Sequence, residues 1–157
     1  VIEEETFASG SAVVEVEVDA ETGKVTILNY VMAQDSGRIL DREIAEGQLY
    51  GGIAHGIGNA LFEWMRYDDD AQPISATFAE YLLVTAPEVP SVKLILHETP
   101  TPRNPLGVKG IGETGLMPAT SAIISAIEDA LSPFNVHLTR VPLTPPDILA
   151  AVAASEG

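Results

Sequence analysis

Gly107-Val108-Lys109-Gly110-Ile111-Gly112-Glu113-Thr114-Gly115 is the run around which the neighbouring segments are arranged. Pro100, Thr101, Pro102, Arg103, Asn104 and Pro105 lead into it, and Pro118 opens an apolar stretch just beyond it. A proline-interrupted loop therefore stops where a helix starts. Four glycines in nine residues let the backbone pass close to another group or take a positive φ, with extra chain entropy lost on folding. Lys109, Glu113 and Thr114 are the side chains of the run that carry chemistry. An acid ahead of a helix has a plain structural account, because the free N–H groups and the helix dipole stabilise any carboxylate there. On local features alone, Glu113 is read first in that role.

Downstream, Ile123, Ile124, Ile127 and Leu131 make one apolar stripe, which predicts a helix from Met117 to Leu131 ended by Ser132-Pro133. Val136 to Val141 reads as a last short strand, and Asp147 to about Ala153 as a short helix after Pro145 and Pro146. Upstream, Val92, Leu94 and Leu96 alternate with Lys93, Ile95 and His97, a strand that delivers the chain to the proline-rich loop. Ser75 to Val84 reads as mixed strand and turn, and Tyr67 to Gln72 as a charged, solvated turn. Its aspartates are adjacent rather than alternate, which argues against a calcium loop. Nearer the start, Val14, Val16 and Val18 alternate with Glu15, Glu17 and Asp19. Asp19 to Lys24 supplies a turn, and Val25 to Met32 is a second β-rich run, so the pair predicts a hairpin. Ala33 to Arg38 breaks the pattern with polar turn residues.

Between hairpin and charged turn, Leu49, Ile53, Ile57 and Leu61 recur four apart and predict a helix from Asp41 to about Trp64. Gly47, Gly51, Gly52, Gly56 and Gly58 all fall inside it. At about 1 kcal/mol each relative to alanine, they call for a compensating close contact. That contact is either a neighbouring helix or sheet, or a bulky ligand lying on this face. Gln48, Gly52, His55 and Asn59 fall on roughly one side, where Gln48 could offer an amide to a ligand. His55 has no second His or Cys at ligand spacing, so it is read as a packed or surface histidine, and no metal ligand is assigned.

The 157 residues suit one domain with a real core, and 46% hydrophobic content suits a globular protein or a piece that packs on a partner. Eight basic against 23 acidic residues give a net charge of −15, which repels nucleic acid and anionic membranes. The acidic start is unlike a signal peptide and no run matches a membrane span, so the chain is read as cytoplasmic. Without cysteine it holds no disulfide or iron–sulfur cluster of its own. It begins at Val1, as expected of a part cut from something longer. Gly110 to Gly115 formally matches G-x-G-x-x-G, but a dinucleotide site needs a strand immediately before it, and here a proline-rich loop stands there.

Two glycine-rich segments occur in order. They are Gly47-Gln48-Leu49-Tyr50-Gly51-Gly52-Ile53-Ala54-His55-Gly56-Ile57-Gly58-Asn59-Ala60-Leu61 and, about forty residues later, Thr99-Pro100-Thr101-Pro102-Arg103-Asn104-Pro105-Leu106-Gly107-Val108-Lys109-Gly110-Ile111-Gly112-Glu113. Together they resemble the C-terminal part of the molybdenum-binding large subunit of the xanthine oxidase, aldehyde oxidase and aerobic carbon monoxide dehydrogenase family. The likeness runs from about Ser11 to Ala150, and the T-P-T-P-x-N-P-L-G-V-K-G form most resembles the carbon-monoxide-dehydrogenase-like large chains. Members often carry Asp-Cys-Gly and Asn-Pro where this chain has Asp35-Ser36-Gly37 and Asp41-Arg42.

The resemblance implies a molybdenum cofactor-binding fold, with residues 1–157 as one domain, the C-terminal segment of the large subunit. It implies that Glu113 is the catalytic base, taking a proton from a molybdenum-bound hydroxyl. Gln48 would lie beside the pterin with Gly51 and Gly52, while Lys109, Gly110 and Gly112 would shape the loop that presents Glu113. The cofactor would be molybdopterin, in its cytosine dinucleotide form, with FAD and 2Fe–2S clusters on partner subunits. The assembled enzyme would oxidise an aldehyde, an N-heterocycle or carbon monoxide, with water as oxygen source. The family's other cofactor loops are not in this sequence, so the chain alone is expected to hold no cofactor and to be inactive. Its uncovered apolar faces favour self-association or the remainder of the large subunit.

The expected class is α+β, mostly antiparallel strands packed against two principal helices. A rival reading is a non-catalytic interaction module that keeps the fold without the cofactor. A hydrolase using Glu113 is a third, weakened by the lack of a second well-placed carboxylate or nucleophile.

Overall fold

The structure, a computed structural model, describes residues 5–155; Val1 to Glu4 at the acidic start lie outside them. Strands β1 (Ser9–Val18), β2 (Val25–Asp35) and β3 (Val92–His97) form one sheet in that order. The hairpin is present: β1 and β2 are antiparallel, and Asp19 Oδ1 accepts the amides of Glu21 and Thr22 while Gly23 takes φ 72° in the turn. The second pairing, β2 with β3, is parallel from Tyr30 opposite Val92 to Asp35 opposite His97. The α+β class stands, and the sheet is mixed. A parallel neighbour needs a crossover, and helix α1 (Arg42–Leu61) lies in the connection between β2 and β3.

The register of the hairpin shifts between Glu15 and Val16, leaving Leu28 as an extra residue in β2. That bulge changes parity, so Val25 and Ile27 before it and Tyr30, Met32 and Gln34 after it all turn towards the core. Helix α2 (Ala119–Ala130) lies against β1, and α1 packs on α2. Leu49, Ile53 and Ile57 of α1 meet Ile123 and Ile127 of α2 in a fully buried cluster that also takes Ile148 of α3 (Pro145–Ser155). Both principal helices are shorter than the sequence spacing suggests, α1 ending at Leu61 and α2 starting at Ala119. Among the described residues no helix is long and apolar enough to cross a membrane.

Two expectations of strand fail. Val136 to Val141 pairs with no strand; its donors go elsewhere, with the Leu138 amide on Glu128 Oε1 at 3.1 Å and, just beyond Pro142, the Leu143 amide on the Ala60 carbonyl at 2.7 Å. Buried Val136 and Leu143 anchor the segment as irregular chain instead. Ser75 to Val84 is turns and bends without strand. Buried Ser75 explains its start, because the hydroxyl accepts the Arg66 amide at 2.8 Å and donates to the Trp64 carbonyl at 2.8 Å. The acidic turn is internally bonded, with Asp68 Oδ1 accepting the amides of Asp70 and Gln72. Among the described residues no three of His, Cys, Asp and Glu are placed to hold a metal ion.

Candidate active site

The site is built outward from the end of β2. Gly37 has φ 67° and Gly107 has φ 71°, and a Cβ on Gly37 would come within 2.4 Å of the Gly107 carbonyl oxygen. Only glycine allows that approach. The same carbonyl accepts the amides of Arg38 at 2.9 Å and Thr101 at 3.1 Å, and Gly37 pairs with Val108 as an isolated bridge. Asn104 closes the proline-rich loop, its Nδ2 donating to the Val108 carbonyl at 2.9 Å and its Oδ1 accepting the Val108 amide at 3.1 Å.

Asp35, the last residue of β2, joins these pieces. Its Oδ1 accepts the amides of Gly37 at 2.9 Å and Thr99 at 3.1 Å, and its Oδ2 meets Lys109 Nζ at 3.0 Å. Burial alone would raise the Asp35 carboxyl, but the Thr99 and Gly37 amides and the Lys109 ammonium outweigh it and hold the group well below the usual carboxylate range. The Lys109 amide also donates to the Ser36 carbonyl at 2.8 Å.

Beyond Lys109 the chain crosses α1 at backbone distance. A Cβ on Gly115 would sit 2.6 Å from the Leu49 carbonyl oxygen, and one on Gly56 would sit 2.3 Å from the Ala119 Cβ. Gln48 Nε2 donates to the Gly112 carbonyl at 2.8 Å. Between helix and loop opens a cleft of ≈ 220 Å³ lined by Gly47, Gln48, Gly51, Gly52, His55, Gly112, Glu113 and Leu116.

The α1 glycines thus divide. Gly52 and Gly56 are explained by packing on the 115–119 segment, whereas a Cβ on Gly47 or Gly51 would meet nothing within 4 Å among the described residues. The same holds for Gly112 on the opposite wall. The exposed Glu113 carboxylate makes no hydrogen bond or ion pair among the described residues. The role of helix-terminus cap is therefore not the one it plays; Pro118 stands at the start of α2 without a side-chain cap.

Gln48, Gly51, Gly52, Gly112 and Glu113 come together in one cleft, as the sequence suggests. Lys109 and Gly110 stand outside it. Lys109 turns to Asp35 and borders a second, more apolar groove with Leu40, Ile44 and Ile111, while among the described residues Gly110 approaches only the Thr6 carbonyl oxygen, at 3.9 Å for a Cβ. His55 is exposed on the cleft wall rather than packed. Sequence reasoning missed Asp35 and Asn104, whose importance rests on partners brought in by the fold.

The departures at the two short motifs keep their local function. Asp41 caps α1, Oδ1 accepting the Ile44 amide at 3.0 Å, as an asparagine would, and Arg42 takes the first helical position that proline also suits. Ser36 is buried and accepts Gln34 Nε2 at 3.0 Å.

A bulky ligand with hydrogen-bonding edges fits this cleft. Gly47, Gly51 and Gly112 leave space that a Cβ would fill, and the Gln48 carboxamide oxygen accepts no hydrogen bond among the described residues. The volume is below the about 300 Å³ at which ligand pockets begin, so the cleft alone would enclose only part of such a ligand.

Residues 3–90 match the family model described as the molybdopterin cofactor-binding domain, a span that includes Gln48 and stops short of Glu113. The chain is 39% identical over 145 residues to the 6-hydroxypseudooxynicotine dehydrogenase complex subunit gamma of Paenarthrobacter nicotinovorans, covering 92% of this chain and 18% of that protein. It is 37% identical to the nicotine 6-hydroxylase large subunit of the same organism, with the same coverage, and 28% identical to the carbon monoxide dehydrogenase large chain of Afipia carboxidovorans, covering 87% and 17%. Among solved structures it superposes on quinoline 2-oxidoreductase from Pseudomonas putida 86 with TM-score 0.86 and 37% identity, over 88% of this chain and 18% of that one. It superposes on Cu,Mo-CO dehydrogenase with TM-score 0.90 and 25% identity, over 95% and 19%. The chain thus spans less than a fifth of the length of the relatives it matches. It belongs to the molybdopterin cofactor-binding family of xanthine dehydrogenase, aldehyde oxidoreductase and carbon monoxide dehydrogenase large subunits.

Proposed function

We propose that residues 1–157 are the C-terminal domain of a molybdopterin-dependent oxidoreductase, in which Glu113 is the general base and Gln48, Gly51 and Gly52 form one wall of the cofactor pocket. The observation that carries this reading is a carboxylate without a partner among the described residues, on a cleft whose helix wall leaves open space at Gly47 and Gly51. The molybdenum–pterin group, when bound, supplies the redox chemistry. This chain's residues do the rest. Gln48 holds the Gly112 carbonyl through its amide nitrogen and keeps its oxygen for a ligand donor. Gly47, Gly51 and Gly112 let a planar group approach the backbone. Glu113 accepts a proton, since no hydrogen bond among the described residues competes for its lone pairs. Lys109 and Gly110 serve that carboxylate from outside the cleft.

In the assembled enzyme the oxidised substrate is an aldehyde, an N-heterocycle or carbon monoxide, with water as oxygen source. The relatives named for nicotine and quinoline are 37% identical, against 28% for a carbon monoxide dehydrogenase large chain, which supports the N-heterocycle. The relatives named as a complex subunit and a large subunit support partner chains, to which we assign FAD and 2Fe–2S clusters. The pterin is assigned as the cytosine dinucleotide.

Glu113→Gln in the assembled enzyme is the test. It keeps shape but cannot take the proton, and general-base catalysis is typically worth roughly 10²–10⁴-fold. Turnover is expected to fall by that much with molybdenum content unchanged; retained turnover would remove Glu113 from the chemistry. Assembled protein that binds no molybdenum would favour the non-catalytic module.

A further inference from the structure

We propose that Asp35 is the positioning residue for Glu113, acting through Lys109; this rests on the reading of Glu113 as the base. The carboxylate collects three segments at one point: the turn leaving β2 through the Gly37 amide, the entry to the proline-rich loop through the Thr99 amide, and Lys109 through its ammonium. Lys109 and Asp35 side chains are only 15% and 17% exposed, so water and salt screen the pair weakly. From Lys109 the chain runs four residues to Glu113, tied down between them by Ile111, which packs against the core and whose carbonyl accepts the Thr114 hydroxyl at 3.0 Å. Among the described residues, a Cβ on Gly110 would find one atom, at 3.9 Å, and one on Gly112 would find none within 4 Å.

The base is therefore carried on a short arm held at its root, at Ile111 and at its tip. The Asp35–Lys109 pair, with the Lys109 amide on the Ser36 carbonyl, fixes the root; Gln48 on the Gly112 carbonyl fixes the tip. A base works within hydrogen-bond reach of the proton it takes, and a misplacement of about 1 Å can lower the rate by about 10²-fold. Loosening the root removes one of these three holds and lets the backbone leading to Glu113 shift about Ile111. Neither Asp35 nor Lys109 lines the cleft, so their loss acts on the placement of Glu113 rather than on ligand contacts.

The experiment uses the assembled enzyme. Asp35→Asn keeps the side chain's shape and its ability to accept the Gly37 and Thr99 amides but leaves Lys109 without its charge partner. Expected results are a fall in kcat of about ten- to a hundredfold, a KM change below about threefold and wild-type molybdenum content. Lys109→Met should lose a similar factor, the double variant no more than either single one, and Lys109→Arg should recover most of the rate. If Asp35→Asn fails to assemble, the two Lys109 variants carry the same comparison. Wild-type kcat in Asp35→Asn, losses that multiply in the double variant, or a loss that tracks molybdenum content would each overturn the proposal. Glu113→Gln measured alongside separates the two readings. If it abolishes turnover while Asp35→Asn does not, only the positioning role fails; if it stays active, the base itself fails.

Discussion

Gln48 uses its carboxamide in two directions, with its nitrogen on the Gly112 carbonyl and its oxygen open to the cleft. Gln48→Ala removes both, and because the side chain is exposed the fold is expected to survive. In the assembled enzyme we expect weaker molybdenum retention or slower turnover, read by metal analysis and steady-state rates; both unchanged would remove Gln48 from the site. Asp35 gives a prediction about acid. Its folded pKa lies below the unfolded value of about 3.9, so it contributes stability that is fully present above that value and is lost as pH falls through the folded pKa. Wild-type chain should therefore lose stability below about pH 4 more steeply than Asp35→Asn, in denaturant melts run across that range. Parallel slopes would show that the carboxylate is not stabilised as drawn. Asp35 was illegible in the sequence, where D-S-G reads as an ordinary turn. Its ion partner lies 74 positions away, a relation that no local spacing carries. Glu113, by contrast, reads from its own nine residues as a helix-start acid and was singled out only by the resemblance of the two glycine-rich segments; the structure places it on the cleft wall.

Along α1, spacing was enough to locate the helix and its buried stripe, since Leu49, Ile53 and Ile57 are all fully buried. The glycines were legible only as a puzzle; their neighbours sort them. Gly51 has open space where a Cβ would stand, so Gly51→Ala should stabilise the helix by about 1 kcal/mol while crowding the ligand cleft. Gly56 has the Ala119 Cβ 2.3 Å from that position, so Gly56→Ala should destabilise by about 1–3 kcal/mol through overpacking. Thermal or urea melts measure both, and molybdenum content of the assembled Gly51→Ala enzyme measures the crowding. Opposite signs are the expected outcome; a destabilising Gly51→Ala would mean that this face is packed within the chain after all. The parallel pairing of β3 and the bulge at Leu28 escaped the sequence because alternation reports which face a residue takes, not which strand lies beside it. The irregular run from Val136 to Val141 escaped because its β-branched Val136, Thr139 and Val141 suggest a strand, while the Leu138 and Leu143 amides find acceptors outside any sheet.

The chain has a buried core shared by all three helices and β2, yet it leaves Phe7 at 75%, Leu40 at 65%, Ile44 at 70%, Phe78 at 83% and Met117 at 76% exposed. Leu40 and Ile44 border the apolar groove next to the candidate cofactor cleft, where the rest of a large subunit would reach both. Purified alone, the chain is expected to fold, to carry no molybdenum and to self-associate. One wall of a site leaves a large cofactor mostly in water, and little binding energy remains after the entropy of association is met. Self-association brings apolar side chains together against a net charge of −15 on each copy. Added salt screens that repulsion, so the oligomer should grow with ionic strength as well as with protein concentration. Size-exclusion chromatography with light scattering across a salt series, beside metal analysis of the same fractions, makes the comparison. Ile44→Lys with Phe78→Lys should return the monomer at high salt. A strict monomer holding molybdenum one to one would show that this single wall suffices, and that the exposed apolar residues serve no partner.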